Sequence, residues 1–320
     1  MSNYSIRKLE NTEFHLLIPL MKDCFGMNVN VDYFEWKFVN NPAGFVEGFI
    51  AVSEEGEIAA YYGVIPEQYY IDCKLVTVYQ SCDTMTHSKH RRKGLFQKLA
   101  LHCYDHLRKE NRLFVIGFGG EQSTPGFLKF GWVHVFDMKI WFIPKAMYWI
   151  NFSSDKKVYE VSDPAQLSHL VAKANATEVI HSNKTAELFK WRISNPNYQY
   201  KLLGYGRDAH TLSSYACYYL FDNKLVLFDF YFENARAGKA ITSRLKKIAA
   251  RLHLKGITAF VQEHSAFAKS VARAGFVTNP FRKGPLAHRT PFIFYAEEAV
   301  MKQYNDPAKW LINSFDHDAM

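Results

Sequence analysis

A chain of 320 residues with 48% apolar and 22% charged side chains has the balance of a soluble globular protein, and its length is comfortable for two cores. The formal charge of +8 suits anionic small molecules, and the lack of any block of five like charges speaks against a nucleic-acid arm. Five cysteines without a Cys-x-x-Cys pair read as reduced thiols of a cytoplasmic protein, not as a disulfide framework or zinc site; no apolar run is long enough for a membrane span or a signal core.

Ser5 to Leu9 reads as a short strand, followed by a helix through Cys24 that Thr12 caps and Pro19 bends. Tyr33-Phe34-Glu35-Trp36-Lys37 is an aromatic helical turn ended by Asn41-Pro42. The β-rich runs Gly48 to Val52 and Ile58 to Val64 flank Glu54-Glu55-Gly56-Glu57, a hairpin signal. Leu75 to Thr86 alternates weakly, as a half-buried strand does, and leads through Arg91-Arg92-Lys93 to Gly94. Beyond that glycine, Phe96, Leu99, Cys103 and Leu107 recur at the spacing of one buried helix face. Leu113 to Phe118 is a buried strand, Gly119 to Ser123 a break, and Ser123-Thr124-Pro125 the start of a short helix that Gly131 ends.

Lys139 to Phe152, interrupted by Pro144 and Lys145, is strand plus linker, and after Ser153 to Lys157 the layout starts again. Val158 to Val161 is a strand; Ser162-Asp163-Pro164 caps a helix with Leu167, Leu170, Val171 and Ala174 on one side. Leu188-Phe189-Lys190-Trp191-Arg192 before Asn195-Pro196 echoes the earlier aromatic turn at the same place in the element order, and is read as an internal duplication. Strands at Lys201 to Tyr205, Ser214 to Phe221 and Leu225 to Phe232 precede a helix from Gly238 with Ile241, Leu245, Ile248 and Leu252 on one face. A strand at Ile257 to Val261 and a helix from Ser265 to Ala274 close the repeat. Asp316-His317-Asp318 either folds back on a cleft or is a frayed tail, and the second reading is preferred.

A strand feeding a helix start that carries three cations is an anion site, because the first helix amides lack partners and the positive dipole end faces outward. Arg91, Gly94 and Phe96 resemble the Arg/Gln-x-x-Gly-x-Gly/Ala signature of the GNAT acyltransferase superfamily, with Phe96 in place of the last small residue. The break after Phe118, the short helix and Gly131-Trp132 are similar to the superfamily's second hallmark, with Phe127 where a tyrosine acid is common. The resemblance implies an α/β fold of two tandem GNAT-like domains, each a mixed, mostly antiparallel central sheet flanked by helices. Residues 1–150 would be the acyl-coenzyme A-binding domain. Residues 151–320, whose Asn234 to Lys239 lack the anion-loop spacing, would be a degenerate domain completing the acceptor site.

By the same resemblance Arg91, Arg92, Lys93, Gly94, Leu95 and Phe96 grip the coenzyme pyrophosphate. Thr84, Met85 and Thr86 hold the pantetheine arm and thioester carbonyl through backbone amides, and Ser123 and Phe127 are coenzyme neighbours. An attacking amine must lose a proton, for which Glu121 and His87 are the candidate bases; Glu263-His264 holds the analogous place in the second half. The expected activity is N-acyl transfer from acyl-coenzyme A, a co-substrate, without a metal. The expected acceptor is a nucleotide-linked (dTDP- or UDP-) amino sugar for surface polysaccharide, with no nucleic-acid or membrane partner and a homodimer left open. The alternatives are an aminoglycoside or peptide N-acetyltransferase, and a non-catalytic acyl-coenzyme A sensor.

Overall fold

The computed structural model describes residues 4–120, 123–150, 153–173, 179–281, 283–284 and 286–318. The first half runs β1 (Ser5–Lys8), α1 (Ile18–Phe25), α2 (Val31–Phe34), β2 (Glu47–Val52), β3 (Ile58–Ile71), β4 (Lys74–Thr86), α3 (Leu95–Lys109), β5 (Phe114–Phe118), α4 (Thr124–Lys129) and β6 (Val133–Pro144). The second half runs β7 (Val158–Val161), α5 (Ser168–Lys173), β8 (His181–Ser182), α6 (Ala186–Arg192), β9 (Lys201–Gly206), β10 (Leu212–Phe221) and β11 (Lys224–Tyr231). It continues with α7 (Ala235–Arg251), β12 (Gly256–Gln262), α8 (Ala266–Ala274), β13 (Val277–Thr278), β14 (Arg289–Ala296) and α9 (Glu298–Tyr304). Pro19 does not bend a helix. It sits in the first turn of α1, where its missing N–H costs nothing, and Gly26 at φ 67° ends that helix.

The strands form one mixed, mostly antiparallel sheet in the order β1-β2-β3-β4-β5-β14-β6-β12-β11-β10-β9-β7. Only its β4–β5 and β11–β12 neighbours are parallel. The order reads alike from either end, and the halves exchange strands: β14 lies against β5, and β6 against β12. The echoed turns meet across the axis of this arrangement. Trp36 Nε1 donates to the Trp191 carbonyl at 2.8 Å and Trp191 Nε1 to the Trp36 carbonyl at 2.8 Å, with the rings stacked 5.2 Å apart. One contact made reciprocally by matching residues is what a two-fold axis requires.

Side chains alternate across the sheet, so Tyr61 and Ile65 enter one core while Tyr62 and Val64 enter another. The first core is shared by both halves and takes in Cys82, Tyr215 and Cys217; on the opposite face α3 and α7 cover separate cores. The segment from Ile312 to Asp316 lies inside the shared face. Ile312, Asn313, Ser314, Phe315 and Asp316 are at most 3% exposed, so the expected frayed tail is a packed segment. Its partners lie far back in the chain, which is why local sequence favoured the frayed reading over the fold-back one. Among the described residues no helix is long and apolar enough to cross a membrane.

Candidate functional site

β4 and β5 are paired only at Tyr79↔Val115 and Gln80↔Ile116. From Ser81 onward β4 keeps β3 on one side and loses β5 on the other. A bulge accompanies the split: between Gly63↔Cys82 and Tyr61↔Met85, Asp83 and Thr84 face the single Tyr62, and Asp83 takes φ 46°. Backbone groups of Thr84, Met85 and Thr86 that turn from β3 therefore front a crevice instead of a strand.

At the end of β4 the chain turns through Ser88–His90 and enters α3. Gly94 is the N-cap at φ 72°, no side chain caps the helix, and a Cβ at Gly94 would meet nothing within 4 Å. The first amides of this 15-residue helix, those of Leu95 and Phe96 included, thus carry unspent donors and the positive dipole end. Exposed Arg91, Arg92 and Lys93 surround them. Arg91 Nε donates to the Thr86 carbonyl at 3.3 Å, Lys93 Nζ to Tyr4 Oη at 2.9 Å, and Arg92 holds a left-handed φ of 63°. The matching place in the second half is closed. Asn234 caps α7 by accepting from the Ala237 amide at 3.0 Å. The gap between β11 and β12 holds the tail, where Asn313 bridges to Val261 and donates to Asp229 at 3.0 Å.

The family model for an acetyltransferase (GNAT) domain matches residues 5–135, the stretch that holds the crevice and α3. Residues 5–135 are thus similar to a GNAT domain. The fold of the chain is similar to that of a probable N-acyltransferase from Enterococcus faecalis V583, with TM-score 0.72 and 11% identity over 93% of this chain and 73% of that one. It is similar to a GCN5-related N-acetyltransferase from Anabaena variabilis ATCC 29413, with TM-score 0.66 and 13% identity over 92% and 73% of the two chains. It is also similar to Saccharomyces cerevisiae N-myristoyltransferase with bound myristoyl-CoA, with TM-score 0.61 and 10% identity over 92% and 79%. These are likenesses of fold, and they take in both halves of the chain. Curated protein sequences give no match.

Within residues 5–135, Phe127 is 5% exposed and packs 4.9 Å from the Phe96 ring and 4.7 Å from Trp132. It is a wall between α3 and α4. Ser123 Oγ accepts from the Gly120 amide at 3.2 Å and braces the break after β5. Glu121 lies outside the described residues. His87 Nδ1 accepts from the Lys89 amide at 3.3 Å, and its Nε2 stands 3.9 Å from Asp23. Met85 and Leu95 are buried and Phe96 is half-buried, so what these three can offer the crevice is backbone. Glu263, in the second half, is ion-paired to Lys139 and stands 3.8 Å from Arg289.

On the shared-core face of the crevice stands a buried charge cluster that sequence reading missed. Lys37 Nζ donates to Asp83 at 2.8 Å, to Asp318 at 2.9 Å and to Tyr33 Oη at 3.2 Å, with its side chain 1% exposed. Burial opposes the Lys37 charge, but Asp318 and Asp83 hold its ammonium well above the ordinary range. Burial raises the Asp83 carboxyl; Asp318, though buried too, is held below its usual range by Lys37 and His317. Gln80 Nε2 donates to the Asp316 carbonyl at 2.6 Å, and Arg192 to the carbonyls of Phe315 and His317. The His317 ring lies 4.5 Å from Phe118, and burial lowers its imidazole to about 4, so it is neutral at pH 7. Glu67, 9% exposed, is pushed up to about 8 by burial, with Asp316 and Asp318 adding to it and Arg192 opposing. A signal was available: Lys37 and Arg192 are the basic residues that close the two echoed turns.

Proposed function

We propose that this chain transfers an acyl group from acyl-coenzyme A to the amine of a small acceptor, and that the first-half crevice binds the co-substrate. The observation that carries this reading is an uncapped helix N-terminus ringed by Arg91, Arg92 and Lys93 where β4 parts from β5. A diphosphate there meets unpaired amides and cations together. The amides of Thr84 to Thr86 would orient the pantetheine arm and polarise the thioester carbonyl. Cys82 is buried with its thiol raised well above the usual range by that burial, which fits direct attack by the acceptor and no covalent enzyme stage. For the acceptor's proton, Glu121 and His87 stand as candidates, and neutral His317 at the end of β5 joins them.

For the acceptor, the net charge of +8 suits a dTDP- or UDP-linked amino sugar. A second reading has a specific observation behind it: Asp83 and Asp318 stand together on the shared-core face of the crevice, and carboxylates suit a cationic aminoglycoside or peptide amine. Titration calorimetry on Arg91→Glu/Lys93→Glu should show coenzyme A affinity reduced about 100-fold with circular dichroism unchanged. Unchanged affinity refutes the loop assignment. Thioester turnover against amino-sugar nucleotides, aminoglycosides and peptides then names the acceptor; coenzyme binding with no turnover on any of them marks a sensor.

A further inference from the structure

Of the three cations ahead of α3, Lys93 is held from outside its own loop. β1 pairs with β2 at Ser5↔Val52, which sets Tyr4 beside the hairpin that joins β2 to β3. Tyr4 Oη accepts from Lys93 Nζ at 2.9 Å and meets His90 Nδ1 at 2.9 Å. On its far side His90 Nε2 faces Glu57 of the hairpin at 3.4 Å. The donors run in one consistent direction when His90 is neutral with its proton on Nε2: Lys93 to Tyr4, Tyr4 to His90, and His90 to Glu57. The His90 side chain is 11% exposed, and its ring packs edge-on to Tyr4 at 5.7 Å, so the ring itself is locked. The His90 amide donates to the His87 carbonyl at 2.8 Å, which ties the same residue into the turn ahead of Gly94.

From this chain of contacts we infer that Tyr4 and His90 are positioning residues of the coenzyme site, resting on the assignment of its diphosphate to the α3 N-terminus. They hold the Lys93 ammonium and the turn before α3 in place ahead of ligand arrival. Neither side chain touches the ligand. A lysine carries about 2 kcal/mol of rotamer freedom, and a fixed acceptor that removes part of it leaves less to be lost on binding. Edge strand β1, which contributes little else to the site, then has a functional reason to end beside the loop.

The test compares wild type, Tyr4→Phe and His90→Ala by titration with coenzyme A and by initial rates. Tyr4→Phe, which removes one oxygen and keeps the ring, should raise the coenzyme Kd and the KM for acyl-coenzyme A about fivefold. His90→Ala should raise both about tenfold. In both variants kcat and the acceptor KM stay at the wild-type values, a split that general loosening of the fold would not give. Wild-type coenzyme affinity in Tyr4→Phe overturns the inference, and so does a fall in kcat with an unmoved KM. If His90→Ala fails to fold, Tyr4→Phe alone decides. Wild-type protein that binds no coenzyme A would instead defeat the functional reading beneath it.

Discussion

Replacing Lys37 with methionine keeps the side chain's bulk and removes the charge that holds Asp83 and Asp318 together. The two carboxylates are 10% and 9% exposed, and each loses a partner under 3 Å away. Deleting one member of a buried ion cluster strands the others, at a cost of about 3–5 kcal/mol. Unfolding entropy of about 2.1 cal/mol/K per residue gives about 0.67 kcal/mol/K for a chain this long, so a loss of 4 kcal/mol lowers Tm by about 6 °C. The pH dependence is fixed in sign. Without Lys37 both carboxyls shift upward in the folded state, the fold binds more protons than the unfolded chain, and stability falls as pH rises. Urea denaturation should therefore show a larger deficit at pH 7.5 than at pH 5, with partial recovery in Lys37→Met/Asp83→Asn/Asp318→Asn. A deficit below about 1 kcal/mol, or one equal at both pH values, would refute the assignment of Lys37 as the counterion of a buried pair.

Glu67→Gln should stabilise the protein increasingly between pH 5 and 8. The folded-state carboxyl near 8 lies above its unfolded value, so the wild type loses stability across that window by roughly 2–4 kcal/mol; parallel urea curves for the two proteins at pH 5 and 8 would contradict the burial of that carboxyl. Trp36→Phe and Trp191→Phe each remove one buried hydrogen bond and should cost about 1 kcal/mol, the Trp191 carbonyl keeping the Ser194 amide and hydroxyl as donors. The pair should couple by more than about 0.5 kcal/mol in a double-mutant cycle, because the rings touch. A coupling energy near zero would mean that the two rings do not meet as described.

The GNAT layout was legible because its signals are local. The helix face Leu99, Cys103, Leu107, the glycine before α3 and the break after Phe118 each follow from spacing within a few residues. The repeat was legible for the same reason, since two aromatic turns ahead of Asn-Pro compare directly along the chain. Strand exchange was not, because β6 reads as a strand wherever it pairs, β14 was not read as a strand at all, and neighbours are settled only by how two twisted sheets close on each other. The buried tail was the less favoured reading for a related cause: Asp316-His317-Asp318 is polar, and polar residues at a terminus stay in water unless remote groups satisfy them. Here Lys37, Gln80 and Arg192, more than 120 residues away, do so. Sequence alone thus determined most of the elements and the glycine-led turn into α3, which depend on backbone and near neighbours. Tertiary structure decided which charges are buried together, because the free energy of an ion in the interior depends on partners that the chain brings close only once it has folded.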